Sequence, residues 1–148
     1  MNVWVVRAEF GKHADAFRNG GYVAIDYSIS EPYPIGEGRE AFVEAYKKAH
    51  PSSTSNVVIG QQVGQITRFC EDMKPGDYVI TPSDNNDVLY YGKVLDEPYR
   101  YEAVPADSCP YRHRRSVKWS KSTASRSTFS VPFQNTIRSS LTVFSVSQ

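Results

Sequence analysis

The apolar positions between residues 57 and 73 recur every three or four residues, which predicts an amphipathic helix with one buried stripe. A Pro-Gly-Asp turn at 75–77 follows, and a short strand at 77–81 stops at Pro82. Residues 88–94 predict its partner strand, joined to it by the turn-rich segment 83–87. A helix that feeds a small β-meander through this turn is typical of small barrel domains.

The rest of the chain alternates short strands with short helices. Alternating or apolar runs predict strands, and three-to-four residue spacing or capping signals predict helices. Segment 120–128 is polar and is expected to be mobile. About six mainly antiparallel strands with three or four helices predict an α+β fold, a partly closed β-barrel with helices packed on it. The further strands are expected at 2–8, 22–27, 99–104, 115–119 and 141–146, and the further helices at 13–18, 39–50 and 130–140.

Glycines 60 and 64 are unusual inside the predicted 57–73 helix. Each costs roughly 1 kcal/mol of helix stability relative to alanine. We therefore expect another backbone or a ligand to approach the helix closely at these two positions.

Length and composition predict one ordinary globular domain spanning residues 1–148. Charged residues make up 22% of the chain and hydrophobic residues 40%, and no apolar run approaches the roughly 20 residues of a membrane span. The chain starts directly on a strand-like segment without a signal peptide, so we expect a cytoplasmic protein with no membrane partner. Cys70 is expected as a buried free thiol and Cys109 in a loop, and a disulfide between them is improbable.

The charge is distributed unevenly along the chain. Residues 1–107 hold ten Lys/Arg and sixteen Asp/Glu, whereas residues 108–148 hold seven Lys/Arg and no acid. A one-sided basic patch suits a polyanion such as nucleic acid. A solvated strand face that needs charge for solubility is the alternative. The cluster that would contact phosphates consists of Arg112, Arg114, Arg115, Lys118, Lys121 and Arg126.

Motifs for catalysis are not found in the sequence. None of the eight glutamates has a lysine two residues later, as a metal-dependent nuclease of the Asp…Glu-x-Lys type requires. The three histidines are isolated, and two cysteines cannot hold a structural zinc alone. No glycine-rich phosphate loop follows a strand. We expect no enzyme activity from this chain alone, no metal and no cofactor.

The aromatic residues are the feature of the sequence that favours nucleic-acid binding. Ten tyrosines are many for this length, and several are expected where strands end or loops begin. Such positions can present a ring face for base stacking, although packing at a barrel rim is an equally good interpretation for each one. Trp4, Phe69, Tyr78 and Phe144 are instead expected in the core. The loop tyrosines are Tyr27, Tyr33, Tyr99, Tyr101 and Tyr111.

Six motifs, in order along nearly the whole chain, resemble the N-terminal domain of Mrr-type restriction endonucleases. More distantly, the Trp4 strand, the turn at 73–77 and the strand at 91–94 are similar to EVE domains of the PUA-like superfamily, which includes YTH and SRA domains. The resemblance implies a module that reads a modified base, with a fused or partner nuclease. The motifs are VWVVRA at 3–8, GYVAI at 21–25, GQ-x-x-RF at 64–69, K-x-GDYVITP at 74–82, HRR-x-VKW at 113–119 and SSLTVF at 139–144.

The resemblance also implies site residues. Tyr27 matches one wall of an aromatic cage, and the loop with Tyr99, Tyr101 and Tyr111 matches the second wall. Polar recognition would come from Gln62, Gln65, Thr81 and Ser83, although Gln65 can equally cap a loop. Arg68 would flank the pocket and join the phosphate-contacting cluster.

The expected function is recognition of a flipped, modified base in double-stranded DNA, methylated cytosine or adenine. A YTH-like module for modified RNA is one alternative. A domain that binds a protein or a small nucleotide is another, and an enzyme of unknown type is a third.

Overall fold

The computed structural model describes residues 2–53, 55–85, 87–137 and 141–146. Over these residues the protein has four α-helices, a π-helix at Arg68–Asp72 and a 3₁₀ turn at Arg126–Thr128. The helices are α1 (Ala14–Gly20), α2 (Arg39–Ala49), α3 (Asn56–Thr67) and α4 (Val131–Ile137). The strands are β1 (Val3–Val6), β2 (Tyr22–Ile25), β3 (Tyr78–Pro82), β4 (Val88–Val94), β5 (Arg100–Tyr101), β6 (His113–Trp119), β7 (Ala124–Ser125) and β8 (Val143–Val146).

The strands form one curled mixed sheet, which closes to a half-barrel. Its order is β2-β6-β4-β3-β1-β8, with β5 paired to β6 and β7 paired to β4. Only β1 and β3 pair in parallel among the described strands, and the remaining pairs are antiparallel. The predicted α+β class with a partly closed sheet is confirmed, with eight strands instead of about six.

The sheet buries side chains on both faces. On β1, Trp4 and Val6 belong to the large core shared with α1, α2 and α3, whereas Val5 belongs to a smaller cluster on the opposite face. This smaller cluster includes Ile137 at the end of α4. Because side chains alternate along a strand, a strand buried on both faces reads as a continuous apolar run. That explains the weak alternation of residues 3–6.

The Pro-Gly-Asp turn is fixed by the carboxylate of Asp77. It accepts hydrogen bonds from the Trp4 indole (2.9 Å) and from the backbone nitrogens of Asn2 and Lys74 (3.0 Å each). Burial opposes ionisation of this carboxyl, but the three donors outweigh it and hold the pKa of Asp77 below its usual value. The turn therefore ties the start of β1 to the start of β3.

Three expectations need correction. The predicted 57–73 helix stops being α-helical after Thr67 and ends as a π-helix. The polar segment 120–128 contains a strand, β7, which pairs with the start of β4. Among the described residues no backbone approaches Gly60 or Gly64, because an added Cβ would meet only the guanidinium groups of Arg39 and Arg68. The approach of a ligand at these two glycines stays a prediction.

Other expectations are confirmed. Both cysteines are buried free thiols, so they form no disulfide. Trp4, Phe69 and Phe144 are core residues, whereas Tyr78 is only half-buried. Among the helices of the described residues, none has the length and apolar character to cross a bilayer.

Candidate functional site

A cavity of about 260 Å³ lies where β2 ends. Two of the predicted loop tyrosines, Tyr27 and Tyr111, line it together. They come from distant parts of the chain and meet because β2 pairs with β6, which begins two residues after Tyr111. The full lining is Ile25, Asp26, Tyr27, Ser28, Tyr111 and Thr142.

Tyr27 is held in a backbone conformation that L-amino acids avoid. Its φ is 53° and that of Ser28 is 59°, both in the left-handed region. Each such residue costs roughly 1–3 kcal/mol and persists only where the surroundings enforce it. Here His50 Nε2 donates to the Tyr27 carbonyl (2.6 Å), and the Tyr27 hydroxyl donates to Gln65 Oε1 (2.8 Å). Burial is the main cause that raises the pKa of Tyr27 to about 12, so the phenol stays neutral.

Gln65 fixes the position of the Tyr27 side chain. Besides the Tyr27 hydroxyl, its side-chain oxygen accepts from the backbone nitrogens of Thr142 (2.7 Å) and Val143 (3.1 Å). Its amide nitrogen lies 3.5 Å from Gln62 Oε1, and the residue is 2% exposed. Gln65 therefore joins the Tyr27 loop to the start of β8, and its oxygen has no acceptor capacity left for a base edge.

Tyr111, which lines the same cavity, is supported by a second group of side chains. Its hydroxyl donates to Glu9 Oε2 over 3.4 Å, and His13 Nε2 lies 3.0 Å from the same oxygen. The His13 ring also meets the Tyr111 ring edge-on, with centroids 4.9 Å apart. Burial first, and the charge of Glu9 second, raise the pKa of Tyr111 to about 12.

Asp26 contributes a carboxylate to the cavity that is already neutralised. Both of its oxygens accept from the Arg112 guanidinium, at 2.9 and 2.7 Å, and the backbone nitrogen of Arg112 donates to it as well (3.1 Å). This bidentate pair is the strong form of a carboxylate–arginine contact. Arg112, which was expected to contact phosphate, here anchors the floor of the cavity.

A strained turn lies beside the Tyr111 wall. Glu9, Phe10 and Gly11 have φ values of 54°, 56° and 85° in succession. A Cβ on Gly11 would lie 2.2 Å from the backbone of Ser83 and Asp84, so only glycine lets the turn pack on the β3–β4 loop. Phe10 is 89% exposed at the tip. We call residues 9–11 the rim turn.

The other predicted pocket residues lie elsewhere. Tyr99 and Tyr101 pack around His113, with ring centroids at 5.9 and 5.0 Å. Thr81 is fully buried, and its hydroxyl has no partner in the described part of the chain. The Ser83 hydroxyl donates within its own hairpin loop, to the carbonyls of Asn85 and Val88 (2.9 Å each). The aromatic pair thus reduces to Tyr27 and Tyr111.

The prediction of one exposed basic patch is wrong for two of its arginines, which are buried. Arg114 and Arg115 are only 3% and 4% exposed. Arg114 pairs with Asp107 (2.9 Å) and Glu102 (3.3 Å) and lies over the ring of Tyr22. These acids belong to the first 107 residues, so the charge of Arg114 is neutralised by that part of the chain.

Arg115 donates hydrogen bonds to carbonyl groups of the π-helix. Its Nη1 donates to the carbonyl of Phe69 (2.8 Å) and lies 3.4 Å from that of Cys70, where the helix leaves acceptors unpaired. No ion pair to Arg115 occurs within the residues that the structure describes. Burial lowers its pKa, and the residue is structural in this position.

The remaining predicted cations are more accessible. Lys118 and Lys121 are exposed at the end of β6 and just after it. Arg68 is half-buried, close enough to Tyr27 for its charge to favour the ionised phenol. Arg126 is half-buried, and its Nε has no hydrogen-bond partner among the described residues.

Two of the larger cavities among the described residues are less suited to a base. One of about 360 Å³ lies between β3, β4 and the 123–133 segment and is lined almost entirely by apolar and aromatic side chains. Another of about 540 Å³ borders Tyr99 and Arg115, and it is flanked by the acids Glu71, Asp96 and Glu97, which would repel a phosphate-bearing ligand.

Several residues around the cavity have no signal in the sequence. Glu9, Phe10, Asp26 and Thr142 become part of the site only through long-range pairing and through left-handed backbone at non-glycine residues. Within the described residues, no group of histidine, cysteine or acid side chains could hold a metal ion.

Comparison with known proteins places the chain in a family. No curated protein matches it. A family model covers residues 5–147, nearly the whole chain. The protein therefore belongs to the family described as Domain of unknown function (DUF8426).

Proposed function

We propose that the protein is a PUA-like reader domain that binds a modified base of DNA, flipped out of the duplex, between Tyr27 and Tyr111. The observation that carries this is the meeting of these two tyrosines in one cavity of about 260 Å³. Sites that enclose drug-sized ligands span roughly 300–1,000 Å³, so the cavity suits a smaller, planar group. The domain would act by binding, and a nuclease would be a fused or partner protein.

The rigidity of both walls supports the proposal. A ring that stacks on a base must not collapse into the cavity when the base is absent. Tyr27 is held through Gln65 and His50, and Tyr111 is held through Glu9 and His13. Preorganised contacts of this kind reduce the ordering cost of binding.

The energetics require selectivity from the modified group and the base edge. Flipping costs a few kcal/mol, least for a base that is already unpaired or damaged. Stacking on an aromatic side chain returns about 1–3 kcal/mol per contact. Because the two terms nearly cancel, polar groups around the cavity, such as Ser28 and Thr142, would decide which base stays bound.

The phosphate contacts would come from the accessible cations instead of the buried arginines. Lys118 and Lys121 are exposed, and Arg68 and Arg126 are half-buried. Each phosphate that is neutralised makes binding weaker at high salt. A set of two to four contacts predicts a shallow salt dependence.

The test is a binding titration with four duplexes of one sequence, carrying cytosine, 5-methylcytosine, 5-hydroxymethylcytosine or N6-methyladenine at one position. Wild-type protein should bind one modified duplex at least about tenfold more tightly than the unmodified one, which corresponds to roughly 1.4 kcal/mol. Tyr27→Ala and Tyr111→Ala should each reduce that preference. Tyr91→Ala is the matched control, because Tyr91 lines the apolar cavity instead.

Equal affinity for all four duplexes would refute the reader function and leave only a general DNA contact. A loss of preference in Tyr91→Ala as large as in Tyr27→Ala would show that the effect comes from folding and not from the cavity.

A further inference from the structure

We infer that Glu9 is a specificity-determining residue that accepts a hydrogen bond from the exocyclic amino group of the bound base. The pocket would therefore take amino-bearing bases, of the cytosine or adenine type, and reject the corresponding oxo-bearing bases. This inference rests on the proposed function and narrows its ligand class.

Glu9 lies next to the cavity and contacts the Tyr111 wall, although it is not itself a lining residue. Its Oε2 is 3.4 Å from the hydroxyl of Tyr111, at the far end of the ring that forms one wall. A base stacked on that ring with its polar edge toward the hydroxyl would present the edge to the Glu9 carboxylate. The Glu9 side chain is 49% exposed, so it can be reached from outside.

Glu9 also has acceptor capacity to spare, unlike the carboxylate of Asp26 and the side-chain oxygen of Gln65. Its Oε2 is contacted by His13 and Tyr111, whereas Oε1 has no hydrogen-bond partner in the part of the chain that the structure describes. Asp26 is fully engaged by Arg112, and Gln65 Oε1 already accepts three bonds. An ionised carboxylate accepts hydrogen bonds and cannot donate them.

The position of Glu9 is fixed by its backbone. The rim turn is pinned to the β3–β4 loop at Gly11, and the carbonyl of Glu9 accepts from the backbone nitrogen of Lys12 (3.1 Å). His13, one turn further on, is 5% exposed and holds the carboxylate from the core side. The carboxylate is thus held beside the Tyr111 wall before any ligand arrives.

The chemistry of bases makes this arrangement selective. Cytosine presents an amino donor at position 4 and adenine one at position 6, whereas thymine and hypoxanthine present carbonyl acceptors at the same positions. A carboxylate that faces this position bonds the amino group of the first pair and repels the carbonyl oxygen of the second. A site built to accept from a donor rejects the analogue that lacks it.

The experiment uses the full chain and single-stranded oligonucleotides, in which the base is already unpaired, so that base pairing does not enter. One pair of strands differs only in 5-methylcytosine against thymine, and the other in adenine against hypoxanthine. In the pair that binds, wild-type protein should prefer the amino member at least about tenfold. Equal binding of the two members, or preference for the oxo member, overturns the inference.

Glu9→Gln separates recognition from support. Glutamine keeps the shape but adds an N–H₂ group that can donate to a carbonyl. We expect the preference to fall to within about threefold while both members still bind. Glu40→Gln, an exposed glutamate on α2, should keep the wild-type preference. A purely supporting role for Glu9 would weaken both members equally and leave their ratio unchanged, which also overturns the inference.

Failure of the proposed function has a different signature. If no oligonucleotide binds, or if Tyr27→Ala binds as wild type does, the base pocket itself is wrong and the role of Glu9 falls with it. If Tyr27 matters but the amino/oxo ratio does not depend on Glu9, only the inference about Glu9 is refuted.

Discussion

Lowering the pH from 7 to 4 should destabilise the protein through one buried histidine, His113. Its side chain is fully buried and stacks on the ring of Tyr33, with centroids 3.7 Å apart. Burial is the main cause that lowers its pKa from 6.5 to about 4. The neutral imidazole is therefore the folded form over the whole physiological range.

The hydrogen bonds around His113 also fit the neutral ring. Nε2 faces the Ile29 carbonyl at 2.7 Å, so it must carry the proton. Nδ1 then accepts from the Tyr99 hydroxyl at 2.7 Å, and Tyr99 in turn accepts from the backbone nitrogen of Tyr33 (3.0 Å). A second proton on Nδ1 would force the Tyr99 hydroxyl to turn its own proton away and to accept from the ring instead.

The magnitude follows from linkage. The unfolded chain binds a proton at about pH 6.5 and the folded protein only at about 4, so the unfolded state holds more protons in between. Each unit of pKa difference corresponds to about 1.36 kcal/mol of folding free energy. The contribution of neutral His113 to the free energy of unfolding is fully present above pH 6.5, and it is smaller by about 2 kcal/mol at pH 5 and by about 3 kcal/mol at pH 4. Tyr33, which stacks on His113, also donates from its hydroxyl to the Asp26 carbonyl (3.3 Å), one residue before Tyr27.

Urea unfolding at pH 7, 6, 5 and 4 measures the loss, and NMR of the histidine rings assigns it to one residue. His113 should stay neutral, with the proton on Nε2, down to about pH 4. Titration of His113 near 6.5, or a proton on Nδ1 at neutral pH, would refute the reasoning. Tyr99→Phe provides a second check, since it leaves the buried Nδ1 without a donor and should cost roughly 1–3 kcal/mol at pH 7.

Two further predictions concern the rim turn and the arginines. In thermal unfolding, Gly11→Ala should lower the free energy of unfolding by more than about 3 kcal/mol, because a left-handed alanine costs about 1–2 kcal/mol and its Cβ also clashes with backbone. Gly36 has a φ of 80° and open space around it, so Gly36→Ala should cost only about 1–2 kcal/mol, from the left-handed conformation. Arg115→Met should lower the free energy of unfolding and leave the salt dependence of DNA binding unchanged. Lys118→Gln should leave the free energy of unfolding unchanged and reduce the salt dependence of DNA binding. A reduced salt dependence in Arg115→Met would place Arg115 at the nucleic acid.

Hydrophobic periodicity and turn signals predict most of the helices and strands. The apolar stripe of residues 59–70, the Pro-Gly-Asp turn and the 88–94 strand are local signals, and the structure has each of them within a few residues of the prediction. The end of α3 could not be predicted, because its π-helical turn is completed by Arg115 from a strand more than 40 residues away.

Charge could not be placed from the sequence. The acid-free segment after residue 107 suggested an exposed basic face, but Asp26, Glu102 and Asp107 reach it through strand pairing and ion pairs. The net charge of a segment predicts a surface only where the partner segments are known. Left-handed φ at Glu9, Phe10 and Tyr27 is likewise invisible in the sequence, because none of these residues prefers that region.

The location of the bound base is tested most directly by ¹H–¹⁵N NMR of the protein titrated with the tightest-binding oligonucleotide. The account predicts that the largest shift changes fall on residues 25–28, Tyr111, Thr142 and the rim turn, with small changes in β7 and α4. Shifts concentrated instead on the apolar cavity between β3, β4 and the 123–133 segment would contradict it.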